Sequence, residues 1–103
     1  MKNGDFLITE DSTPDIVNLF IKGRIDFANS SAFQYQLEKN IKNGVKKIVA
    51  NMSQVEFLSS AGIRVILLTH KTMLKTGGSF GIEEPSECVK NVLNMVALNE
   101  LLA

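Results

Sequence analysis

The sequence predicts an α/β domain built on one mixed β-sheet of about four to five strands, with about three to four helices packed on it, in the order β-β-α-β-α-β-α. Three observations predict it. Apolar residues recur with period two in some stretches and with the 3.6-residue period of a surface helix in others, and the two kinds alternate along the chain. Glycine, proline and short polar residues punctuate the boundaries between them. The chain has 103 residues, 45% of them apolar and 21% charged. That is enough to bury one core without disulfides, and too apolar for disorder.

Each element has its own signal. Phe6-Leu7-Ile8 and Ile16-Val17-Asn18-Leu19-Phe20-Ile21 are short and rich in β-formers, and the turn residues of Asp11-Ser12-Thr13-Pro14-Asp15 make them a hairpin. Gly23 is expected to end the second strand. From Asn29 to Asn43, Phe33, Leu37 and Ile41 recur every four residues, the stripe of a surface helix with Asn29 or Ser30 as its cap and Gly44 as its terminator. Val45 to Met52 reads as the central strand, and the Asn51 amide at its end is placed to fasten the following loop. Ser59-Ser60 opens a second helix that runs to about Thr76 and closes at Gly77-Gly78. Ser79 to Glu83 is a short strand. Pro85-Ser86-Glu87 then opens a third helix with Val89, Val92, Leu93 and Val96 on one side. Parallel neighbours across the helical crossovers are expected to be right-handed.

Composition excludes several functions. Eleven basic residues balance eleven acidic ones, so no net field steers nucleic acid or an anionic membrane, and Lys46-Lys47 is too short to act as a basic patch. No stretch approaches the roughly 18 apolar residues that membrane insertion requires. A lone cysteine, Cys88, and a lone histidine, His70, leave nothing for a disulfide or a transition metal, and the pattern fits a reducing cytoplasm. No glycine-rich phosphate loop followed by lysine is present, nor a Gly-x-Ser-x-Gly elbow, so neither a cofactor nor a catalytic apparatus is implied. The four methionines are expected to fill gaps in the core.

The informative segment runs from Val55 to Val65. Ser59 and Ser60 stand where the chain enters the second helix, so either can cap its first amides. A phosphate written there would meet the positive end of the helix dipole. By helical angle, Ile63, Ile66, Leu67, His70, Met73 and Leu74 should pack on the sheet, giving His70 a core or half-buried ring. Ala61, Val65, Leu68 and Thr72 fall opposite, a strip that serves either as a docking surface or as a seat covered by a neighbouring helix or the chain's own loops. Arg64 and Lys75 flank it as solvated charges. Gly62 either admits a partner's backbone or relieves crowding at the helix start. Asp26, after the second strand, is a turn former that convergence of the loops would bring near Ser60.

These residues resemble a known family. Phe57-Leu58-Ser59-Ser60-Ala61-Gly62-Ile63-Arg64-Val65 is similar to the signature of STAS domains, the module of sulphate transporters and of bacterial anti-sigma factor antagonists: aromatic, apolar, Asp, Ser, Ser/Thr, Gly, Leu. Gly23-Arg24-Ile25-Asp26 resembles the Gly-x-Leu-Asp that ends the family's second strand, Ile48 to Met52 its central strand, and Gly77-Gly78 the turn before the next one. The resemblance covers nearly the whole chain and implies a single STAS-like domain over residues 1–103. It further implies a non-enzymatic, cytoplasmic switch that binds an anti-sigma factor which is also a serine kinase of the GHKL type. That kinase would phosphorylate Ser60, two places before Gly62, and a PP2C-type phosphatase would reverse the modification. Asp26, Ser59, Ser60, Ala61, Gly62, Arg64, Val65 and Leu68 are the implied partner-binding residues.

The sequence departs from the family pattern in three places. Ser59 replaces the aspartate before the phosphorylated serine, which makes Ser59 the alternative modified residue, and Ala61 replaces the small hydroxyl after it. The chain ends at Ala103, soon after Leu98-Asn99-Glu100-Leu101-Leu102, where relatives continue through a last strand and helix; the expectation is a reduced sheet edge, or an edge paired in a weak homodimer instead of a monomer. The competing readings are a STAS-type signalling scaffold or lipid-transport accessory domain with another partner and, from another class, a small hydrolase or nucleotide-binding enzyme.

Overall fold

A computed structural model describes residues 6–96, and the element order is the predicted one. Four strands, β1 (Leu7–Ser12), β2 (Ile16–Ile25), β3 (Lys47–Leu58) and β4 (Ser79–Glu83), form one sheet in the order β1-β2-β3-β4. Three helices, α1 (Phe27–Lys42), α2 (Ser60–Lys75) and α3 (Glu87–Met95), complete the described residues. β1 pairs antiparallel with β2 through the predicted hairpin, whose turn is closed by Thr13 N–H donating to the Ile16 carbonyl at 2.9 Å. β2, β3 and β4 run parallel, as two helical crossovers require. The segment 98–102 and the sheet edge expected after it lie outside the described residues, as does Met1.

The strands are longer than their sequence signals, and one device explains why. Gly23 does not end β2; the strand continues through it to Ile25, with Gly23 at φ 99°, a conformation that side chains other than glycine's resist. β2 has 10 residues and β3 has 12, yet Ile16 pairs with Lys47 and Ile25 with Leu58. The two surplus residues are taken up at register shifts between Phe20 and Lys22 and between Gly23 and Arg24. At these bulges the buried positions of β3 fall at Met52, Val55 and Leu58, three apart, so period-two alternation is lost where the strand carries on. Asn51 therefore lies inside β3, and its side-chain oxygen accepts from both Ser53 N–H (3.0 Å) and Ser53 Oγ (2.8 Å) at the first shift. β4 pairs with β3 only as far as Asn51; beyond it, Ser86 N–H donates to the Met52 carbonyl at 3.0 Å, so the chain entering α3 takes over that edge.

One face of the sheet and the inner faces of the helices make the core. Val17, Leu19, Ile21 and Ile25 of β2 meet Phe33 and Leu37 of α1, Ile66 and Met73 of α2, and Val89 and Leu93 of α3 in a single buried cluster. Completely burying one such aliphatic or aromatic side chain contributes about 1.5–3 kcal/mol. Val96, assigned to the inner side of α3, is instead exposed as its C-cap, and Met95 is exposed too, so only Met52 and Met73 of the described methionines fill the core. Asn40 of α1 is a buried polar residue whose amide donates to Glu10 Oε1 of β1 (3.0 Å) and to the Gln36 carbonyl (2.9 Å).

α1 begins earlier than predicted, because Asp26 and neither Asn29 nor Ser30 is its cap. Asp26 is extended at φ −93° and ψ −173°, and its Oδ1 accepts from Asn29 N–H at 2.8 Å. Ser30 lies inside the helix, buried, with its hydroxyl donating to the Phe27 carbonyl. α2 departs from its predicted orientation by about one residue. The buried positions are Gly62, Val65, Ile66, Thr69 and Met73, whereas Leu74 is exposed and Leu67 half-buried; His70 is half-buried, within its expectation. α2 packs against α1 as well as against the sheet, so its buried arc turns toward α1, where small residues fit.

Candidate functional site

The register of β2 with β3 builds the site. Ile25 and Leu58 end level, and Ser59 N–H donates to the Ile25 carbonyl at 2.9 Å, so α1 and α2 start side by side from adjacent strand ends. Asp26 caps the first and Ser59 the second; the Ser59 hydroxyl accepts from Gly62 N–H at 3.1 Å. This close junction explains Gly62. A methyl group added there would stand 2.7 Å from Leu58 Cδ1 and 2.8 Å from Ile25 Cγ2, so its smallness relieves crowding inside the molecule.

The two serines differ in what is left for chemistry. Ser59 is half-buried with its hydroxyl committed to the cap. Ser60, the first residue of α2, is exposed, and its hydroxyl makes no hydrogen bond among the described residues. It lines a groove of about 360 Å³ between the first turns of α1 and α2, together with Phe27, Ser31, Gln34, Ala61 and Arg64. Beyond it a second groove of about 320 Å³ runs on between the same helices, lined by Glu38, Ile41, Lys42, Leu68 and Thr72, and the two share Gln34 and Val65.

The strip read off the helix angles is thus divided. Val65 is buried against α1, the neighbouring helix that the sequence left as an alternative, while Leu68 is 49% exposed on the second groove and Ala61 and Thr72 are half-buried. Asp26, Ser59, Ser60, Ala61 and Arg64 come together at the junction; Gly62 and Val65 lie beneath it. Sequence reasoning missed Phe27, which is 82% exposed at the first position of α1. Once Asp26 is taken as the cap, an aromatic residue on the open first turn follows. It also missed Arg24, whose guanidinium lies 4.4 Å from the centre of the Phe57 ring on the paired strand, a cation–π contact just before the junction.

The sequence from residue 8 to residue 102 matches the family model for the STAS domain. The chain belongs to the STAS domain family. Among the relatives of this STAS domain is BtrV of Bordetella bronchiseptica, named provisionally as an anti-sigma factor antagonist. It is 24% identical over 88 residues, which make up 85% of this chain and 76% of BtrV. An anti-sigma factor antagonist of Thermotoga maritima, also provisionally named, is 27% identical over 89 residues, 85% of this chain and 79% of that protein. Among solved structures, the anti-sigma factor antagonist SpoIIAA in its unphosphorylated form superposes with a TM-score of 0.85 at 18% identity, covering 94% of this chain and 86% of that one. The phosphorylated form of Bacillus SpoIIAA gives 0.77 at 19%, covering 95% and 88%. These likenesses establish the fold of the STAS domain, with a mixed four-stranded sheet and three helices among the described residues.

Proposed function

We propose that this STAS domain, taken as one unit over residues 1–103, is an anti-sigma factor antagonist: a protein-binding switch set by phosphorylation of Ser60. Unmodified, it binds an anti-sigma factor that is also a serine kinase of the GHKL type, and so frees a sigma factor for transcription. Modified, it lets go. The kinase transfers the γ-phosphoryl group of ATP to Ser60 Oγ; the new O–P bond replaces the bond to ADP, which leaves, and the hydroxyl proton passes to a base of the kinase. A PP2C-type phosphatase hydrolyses the ester and restores the docking surface. The domain itself binds and performs no catalysis, its place is the cytoplasm, and among the described residues no helix is long and apolar enough to cross a membrane.

The observation that carries this reading is the free, exposed Ser60 hydroxyl on an interhelical groove in a chain of the STAS family. Ser59, the alternative acceptor, has its oxygen occupied by Gly62 N–H and is the weaker candidate. Phe27, Ala61, Arg64 and Leu68 supply the contact around Ser60, and Asp26 borders it. An aromatic anchor and an arginine are the residue types that most often dominate binding energy. Two added charges in the middle of such a contact cost desolvation and repel partner carboxylates without refolding the domain.

The test uses the chain and an ATP-binding kinase of the GHKL type sought in its own genomic neighbourhood. The two proteins are expected to co-elute with ADP. With Mg-ATP the mass of the chain is expected to rise by one phosphate as the complex separates, and Ser60→Ala is expected to stay bound and unmodified. Co-elution without any change of mass would remove the switch and keep the partner; absence of both would favour a scaffold with another partner.

A further inference from the structure

We propose that Arg64 is the clamp of this switch: once Ser60 carries a phosphoryl group, the guanidinium one turn further along α2 closes on it and holds it over the mouth of the groove. The inference rests on the reading of Ser60 as the modified residue and adds what receives the modification. Ser60 and Arg64 are four residues apart on one helix, the spacing that stacks two side chains on the same face with their Cβ atoms roughly 5–6 Å apart. Both side chains are exposed, and both line the same groove.

The surroundings leave Arg64 available. Among the described residues it makes no hydrogen bond and no ion pair. Among the described residues it is the one charged side chain lining the groove, the others being aromatic, aliphatic, hydroxyl or amide. The carboxylate that the fold brings to the same junction, Asp26, already accepts from Asn29 N–H as the cap of α1. A phosphate dianion offers the acceptor geometry that a guanidinium matches with two parallel hydrogen bonds.

The clamp changes the switch from simple repulsion to exchange. Folding the phosphate back along the first turn lays it across Ala61 and the opening beside Phe27, where a docking segment would sit. The same step withdraws a cation from the surface, so a partner that reads the unmodified domain through Arg64 loses that contact while it meets a new anion.

The experiment needs no kinase. Phosphoserine is installed at position 60 during translation, and the phosphate is titrated by phosphorus-31 NMR in the otherwise native chain and in the Arg64→Gln and Arg64→Lys variants. A nearby cation favours the dianion, so the second pKa of the phosphate, about 6 in an isolated phosphoserine, is expected to be lower by about 0.5 in the chain with Arg64 than in Arg64→Gln, where an uncharged amide takes its place, and intermediate in Arg64→Lys. The difference should shrink as salt shortens the Debye length from about 30 Å to about 3 Å. Equal values in the native chain and Arg64→Gln, with circular dichroism showing both folded, would overturn the clamp. Because the phosphate is placed genetically, that result would leave Ser60 as the kinase's target, whereas a kinase that never modifies Ser60 would remove the target without touching the measured pairing.

Discussion

At the scale of single residues, adjacent serines with the same side chain stand in different environments because their backbone positions differ. Ser59 stands before the first turn of α2 with its oxygen on Gly62 N–H; Ser60 stands within the turn with its hydroxyl in solvent. Removing a serine cap costs about 1 kcal/mol, and an exposed substitution without special contacts stays within about 0.5 kcal/mol. Ser59→Ala is therefore expected to lower the urea midpoint measurably yet still accept phosphate on Ser60, and Ser60→Ala to leave the midpoint nearly unchanged while abolishing acceptance. Gly62→Ala is expected to be the more damaging change nearby, about 1–3 kcal/mol, since the new methyl group meets Leu58 and Ile25 inside van der Waals contact. Thermal unfolding of the three variants, followed by circular dichroism, ranks them.

At the scale of elements, the site depends on how two strands end and two helices begin. The bulges of β3 absorb its surplus residues, bring Leu58 level with Ile25, and so let both helices start at one place. The same bulges explain why half of β3 was not legible in the sequence: Ser53 to Phe57 shows neither alternation nor a helical stripe, although β4, α2 and α3 could be read to within a residue or so from periodicity and caps. The start of α1 was obscured for a different reason, since Asp26, Asn29 and Ser30 are all cap formers and only the geometry selects Asp26. The face of α2 was read from its large apolar residues, but Gly62 and Thr69, which are small, sit at the buried arc because α1 and the strand ends come close there. Asp26→Ala is expected to cost about 1 kcal/mol in chemical denaturation and to increase amide exchange in the first turn of α1. Glu10→Ala, which takes an acceptor from the buried Asn40 amide, should cost about 1–3 kcal/mol, with Asn40→Ala adding little once Glu10 is gone.

At the scale of the whole molecule, the sheet and its helices carry the candidate site on one seam between α1 and α2. The two grooves along that seam share Gln34 and Val65, so a partner seated at Ser60 can extend toward Leu68 and Thr72. Leu68→Asp, on the exposed part of the seam, is expected to weaken kinase binding at least about tenfold, the scale of an interface residue worth more than 1 kcal/mol, with the fold unchanged by circular dichroism. The family and the order of elements were legible from the signature around Ser60 and the alternating periodicities; the seam was not, because a helical angle says which residues share a side and nothing about which neighbour lies there. The most direct measurement is the site of phosphate transfer, mapped by tandem mass spectrometry after the chain and its Ser59→Ala variant are incubated with the GHKL kinase and Mg-ATP. The account predicts a single phosphate on Ser60 in both. Phosphate on Ser59 in the native chain, or none on Ser60 in either, would contradict it.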